Sequence, residues 1–124
     1  MPINIEKVTN TLILIDIRTF TDDEFHNFVK KYTSLYSNLE EKIVCIFSTL
    51  NLENISPKQI GLFSLFLLNM KPVHKKYLKH FFMILDKEFI VNLVNMVFYI
   101  IPPVAPYSCC KTLENALELS VNHI

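Results

Sequence analysis

With 124 residues the chain has room for one domain and one well-filled core. Hydrophobic residues make up 51% and charged ones 19%, which excludes the disordered class, and 12 basic residues balance 12 acidic ones, which disfavours nucleic-acid binding. So apolar a chain carries more core-forming side chains than one small interior holds, and the surplus points to an interface.

Residues 3–8 alternate apolar and polar, Thr9-Asn10 offers a turn, and residues 12–17 (Leu-Ile-Leu-Ile-Asp-Ile) form a β-branched run of the buried-strand type. This predicts an opening hairpin with a half-exposed first strand and a central second one. Asp16 and Arg18 fall on one side of that second strand, where they form a local ion pair or meet an anion. Thr21-Asp22-Asp23-Glu24 is a capping box. Phe25, Phe28, Val29, Tyr32 and Tyr36 follow at helical spacing, so a first helix is expected to run to about Asn38.

Residues 42–47 (Lys-Ile-Val-Cys-Ile-Phe) read as a strand covered on both faces. Ser48 and Thr49 lie at its carboxyl end, where open α/β sheets present ligands and partners. They are candidate phospho-acceptor or partner-binding residues, the alternative being a polar loop. Ser56-Pro57-Lys58-Gln59 starts a second helix, nearly apolar all round and expected to stop before Pro72. Ser56 is a third candidate phospho-acceptor, because free amides and the helix dipole favour a phosphate there; otherwise it is a plain cap. A basic connector around Lys75 and Lys76 leads to a strand at residues 78–85.

Residues 86–101 are the most apolar stretch, with Asp86 as cap and Pro102-Pro103 as stop. As a helix it carries Asn92, Asn95 and Tyr99 on one stripe, with Met96 among them, and the rest is apolar. Such a helix is expected to be buried on almost every side. Asn92, Asn95, Met96 and Tyr99 are the candidate interface residues, the polar ones either a solvent line or a hydrogen-bonding seam within apolar surroundings. A short strand at residues 107–110 follows, then a last helix opened by Thr112, with Leu113, Ala116, Leu117 and Val121 on one face. The order β-β-α-β-α-β-α-β-α predicts an α/β fold: a single mixed, mostly parallel sheet of four to five strands flanked by about four helices.

Little in the chain advertises chemistry. His26, His74, His80 and His123 sit on separate predicted elements without metal-ligand spacing, and one glycine, Gly61, cannot build a phosphate loop. Cys45, Cys109 and Cys110 are odd in number and lack C-x-x-C spacing, which argues for a reducing compartment. No catalytic trio, metal or cofactor is nominated. The N-terminus has no basic region before an apolar run, and the longest apolar segment is too short and too interrupted to span a bilayer. The Lys-, Asn-, Ile- and Phe-rich vocabulary fits an AT-rich coding genome, microbial or viral.

The order of elements, with the closing sequence Pro102-Pro103-Val-Ala-Pro106-Tyr-Ser-Cys-Cys-Lys-Thr112-Leu-Glu-Asn-Ala-Leu, resembles the STAS fold, in particular the SpoIIAA-like, STAS/SEC14-related small proteins. The resemblance implies a non-enzymatic module that binds protein partners, nucleotides or apolar ligands. In anti-sigma-factor antagonists of this fold, a Ser in an Asp-Ser-Ser/Thr-Gly-like turn is phosphorylated to break the partner contact. The matching turn here, residues 47–56, has neither that Asp nor that Gly. The expected protein is a cytoplasmic, non-enzymatic interaction or regulatory module that forms a homodimer or meets a regulatory protein through its apolar helix. The alternative is a binder of a small apolar or lipid-like molecule, held between the helices starting at Ser56 and Asp86 and lined by Phe63, Phe66, Phe82 and Phe98.

Overall fold

A computed structural model describes residues 3–123. β1 (Ile3–Lys7) and β2 (Leu12–Ile17) form an antiparallel hairpin. There follow α1 (Asp22–Leu35), β3 (Ile43–Ser48), α2 (Pro57–Tyr77), β4 (Leu78–Ile84), α3 (Glu88–Ile100), β5 (Tyr107–Cys110), α4 (Leu113–Ser120) and a 3-10 turn, Val121–His123. The five strands lie side by side in chain order, β1-β2-β3-β4-β5, and every pair after the first is parallel.

That order decides the layers. Crossovers between parallel strands are right-handed, so successive steps in one direction put their helices on one face. Ile13, Ile15, Cys45, Phe47 and Phe81 point to that face and pack with Phe25, Phe28 and Tyr32 of α1, Phe66 and Met70 of α2, and Ile90 of α3. The alternate residues, Leu12, Val44, Ile46, Phe82, Ile84 and Cys110, meet α4 through Ala116 and Leu117, and Phe82 also meets His123 of the C-terminal turn. All six residues of β3 are buried, as its continuous apolar run predicts. α3 crosses over to β5, the last strand, and among the described residues no helix follows beyond it on that face.

Both capping boxes form. Thr21 Oγ accepts the Glu24 amide while the Glu24 carboxylate accepts the Thr21 amide at 2.8 Å. Ser56 and Gln59 do the same at α2, and the Gln59 side-chain amide donates to the Phe20 carbonyl at 2.6 Å, tying the start of α2 to the approach to α1.

Four expectations need correction. α1 stops at Leu35, short of Asn38. α2 continues through Pro72 to Tyr77, because Met70 and His74 on its inner side are buried while Pro72 is exposed; packing outweighs the helix bond that proline removes. α3 is capped by the Lys87 backbone with no side-chain bond, and Asp86 instead pairs with Lys87 Nζ at 3.6 Å. In α4 the buried side is Ala116 and Ser120, with Leu113 and Val121 exposed. The small side chains of Ala116 and Ser120 let α4 seat closely on the sheet.

The largest departure is α3 itself. Of its 13 residues only Ile90 is buried. The sheet covers its underside, but with no further helix outside it nothing encloses the rest.

Candidate functional site

The site is the pair α2 and α3. Side chains on α2 recur every three to four residues on each face. Phe66, Met70 and His74 turn toward α1 and the sheet, while Ile60, Phe63 and Leu67 turn toward α3. From α3, Ile90, Val94 and Val97 face back across the gap. Between the two helices lies a groove of about 570 Å³ including its open mouth, floored by Met83 and the methyl side of Thr49. Its walls are apolar throughout.

Further along α2, toward its C-terminal end, a narrower recess of about 420 Å³, again including its mouth, lies under the loop 102–105. Leu67 and Phe98 line both spaces and stand between them. Lys71 and His74 are among its lining residues, yet its walls are almost wholly apolar.

Behind His74 sits a buried polar chain. Tyr32 Oη is 2.8 Å from His74 Nε2 and 2.6 Å from Tyr36 Oη, and both hydroxyls lie 3.9 Å from Cys45 Sγ. Burial raises the Tyr32 and Tyr36 hydroxyls well above the usual phenol range, pushes the Cys45 thiol up to about 12, and lowers His74 to about 4. All four groups are therefore neutral at pH 7. Such a chain offers no thiolate, and its role is to satisfy polar atoms inside an aromatic core.

The candidate interface residues Asn92, Asn95, Met96 and Tyr99 are all exposed on the outer side of α3, Tyr99 to 89% and Met96 to 51%. Phe89 and Ile100 are exposed beside them, and Leu65 and Leu68 on the outer side of α2. Ser48 and Thr49 are buried. The Thr49 hydroxyl donates to the Ile84 carbonyl at 2.7 Å, and Ser48 Oγ accepts the Leu50 amide at 3.4 Å. The Thr49 hydroxyl ties the end of β3 to the end of β4, whereas that of Ser48 closes a local turn at the end of β3. Ser56 is exposed and acts as the N-cap of α2. Arg18 Nε donates to Asp16 at 3.1 Å, the local ion pair expected, with Asn51 Nδ2 at 3.3 Å on the same carboxylate.

Of the four phenylalanines expected around a ligand, Phe63 and Phe98 line the groove. Phe66 packs between Phe25, Phe28 and Tyr32, one helical turn away from it. Phe82 lies on the opposite face of the sheet, since it follows Phe81 in a strand. Sequence reasoning missed Lys71 and His74, which Pro72 had appeared to cut off from the helix. It also missed the stacking of His80 on His123 at 4.2 Å, which only the return of the C-terminal turn to β4 creates.

No helix among the described residues is long and apolar enough to cross a membrane. No family model matches the chain, and no curated protein matches it. Among solved structures, an uncharacterized protein of the DUF3478 family from Shewanella loihica PV-4, with a SpoIIAA-like fold, superposes with a TM-score of 0.65 over 94% of this chain and 90% of its own, at 15% identity. The architecture described above is thus SpoIIAA-like, as the closing sequence implied.

Proposed function

We propose that this SpoIIAA-like domain is a non-enzymatic interaction or regulatory module that works in the cytoplasm through the apolar outer surface of α3, as a homodimer or against a regulatory protein. One observation carries the reading: the most apolar helix of the chain buries a single residue, Ile90, and leaves Phe89, Met96, Tyr99 and Ile100 in water. Contiguous apolar surface of this kind favours association, and Asn92 and Asn95 supply directional contacts at its centre. The three free cysteines suit a reducing compartment.

The test is the mass of the protein in solution by light scattering across a dilution series, for the wild type and for Met96→Glu/Tyr99→Glu. Both positions are exposed, so circular dichroism should be unchanged. A wild-type dimer that the double variant turns into monomer supports the reading. A wild type that stays monomeric when concentrated removes self-association, and a dimer indifferent to the two charges removes this face.

A second reading is favoured by the wholly apolar groove on the other side of the same helix: a small apolar or lipid-like ligand held between α2 and α3. Native mass spectrometry of protein purified without added ligand tests it. Extra, removable mass supports it, and Val94→Glu, which places a charge inside the groove, should abolish that mass.

A further inference from the structure

We infer that two copies of this chain join edge to edge along β5, antiparallel about a two-fold axis normal to the sheet, so that their strands form one continuous sheet and the two α3 helices pack side by side across the axis. This rests on the reading of α3 as an interface and adds to it the partner, a second copy, and the strand that sets the register.

The two edges of the sheet differ. Free amides and carbonyls on an edge invite another strand, and natural edges are guarded by charge, proline or a bulge. β1 exposes Glu6 and Lys7. β5 (Tyr-Ser-Cys-Cys) has no charge, no proline and an unbroken register with β4. The carbonyls of Pro106 and Cys110 accept the Phe81 and Leu85 amides. Backbone groups alternate along a strand, so the amides and carbonyls of Tyr107 and Cys109 point away from the sheet, and among the described residues no strand pairs with them.

Four residues of strand bind weakly alone, and α3 supplies the rest. Phe98 packs on both Phe81 of β4 and Tyr107 of β5, so the C-terminal half of α3 lies over that pair of strands. Neighbouring strands are about 4.8 Å apart, so pairing β5 with a second β5 sets the two α3 helices two spacings apart, about 10 Å, the distance at which helices pack. A lone strand from another protein would pair the edge and leave this side of α3 bare. A second copy fills both, because it carries a helix in the same place.

The facing side chains suit this contact. Leu93 and Val97 line the groove toward α2, and Asn95 lies roughly half a turn round the helix from both, so it points across the axis with Asn92 and Tyr99 beside it. All three are uncharged and exposed. Tyr99 is the anchor: its ring has on the order of 200 Å² to bury, about a quarter of what each partner of a stable pair covers. Glu88 and Lys111 stand at one end of the edge, where α3 starts and β5 stops. The two-fold sends the two sets to opposite ends, so like charges stay apart.

The experiment is light scattering across a dilution series for the wild type and Cys109→Pro. The Cys109 amide points outward, so proline there spares the β4 ladder and should leave circular dichroism unchanged, while both copies lose an edge hydrogen bond. A wild-type dimer whose dissociation constant rises about tenfold or more in Cys109→Pro supports the inference. A dimer indifferent to Cys109→Pro overturns the β5 edge and leaves the α3 interface reading standing. A wild type that is monomeric at every concentration overturns this inference together with self-association. Should Cys109→Pro not fold, amide exchange by NMR on the wild type decides: the Tyr107 and Cys109 amides should exchange slowly in the dimer and fast on dilution, and fast exchange within the dimer overturns the proposal.

Discussion

His74 is an imidazole whose proton affinity is set by its neighbours. Burial lowers it from 6.5 to about 4, so the folded state holds it neutral where an unfolded chain would protonate it. The unfolded state therefore binds more protons between those two values, and stability is lost as pH falls from 6.5 toward 4. The ceiling on that loss is about 3 kcal/mol. Urea denaturation at a series of pH values should show the fall for the wild type and a shallower one for His74→Gln, which keeps a hydrogen-bonding side chain and has no proton to gain. Equal slopes would place the acid sensitivity elsewhere, for example at His80, which burial and His123 also lower. At this scale the sequence was a partial guide. Spacing identified Tyr32 and Tyr36 as one inner helical face, but nothing local says that a histidine 42 positions after Tyr32 will complete their hydrogen bonds. Ser48 and Thr49 were placed correctly at the end of β3, and nothing local says that the Thr49 hydroxyl will be taken up by the Ile84 carbonyl of β4.

Among the elements, helix starts were legible where a side chain closes the first turn, and ends were not. Thr21, Ser56 and Thr112 all cap as their spacing requires. Pro72 misled because its local cost is real, while the gain that outweighs it, the burial of Met70 and His74, comes from contacts distant in sequence. Pro72 is exposed, so Pro72→Ala removes that cost without disturbing the core. It should raise stability by about 1 kcal/mol or more, read as an upward shift of the thermal midpoint. A lowered midpoint would mean that the proline shapes α2 in a way the buried face requires. α3 was misjudged for a different reason. Its composition fixes how much surface wants cover, whereas what covers it depends on the position of β5 in the sheet.

Across the whole molecule, protection should follow the layering. β3, paired on both sides and covered on both faces, lies at the most stable end. α3, with one buried residue and an open groove beneath it, lies at the least stable. Amide hydrogen exchange read by mass spectrometry should show α3 exchanging well ahead of α2 and of the four strands from β1 to β4. Uniform protection across the helices would contradict this ordering. The element order and the sheet class were readable from alternating periodicities because those depend on spacing alone. The groove was not, because it arises from the distance between two helices whose facing residues are each unremarkable.

The sheet's order, in which every strand pairs with its predecessor in the chain, also bears on how the protein is made. A strand that must insert between two others waits for both, and its partners stand exposed meanwhile. Here each strand can add to an edge already present when it leaves the ribosome, so assembly can advance in step with synthesis. The four-residue β5 is then the last strand to join, and the lightly held α3 crosses over to it, so the surface assigned here to binding is completed late.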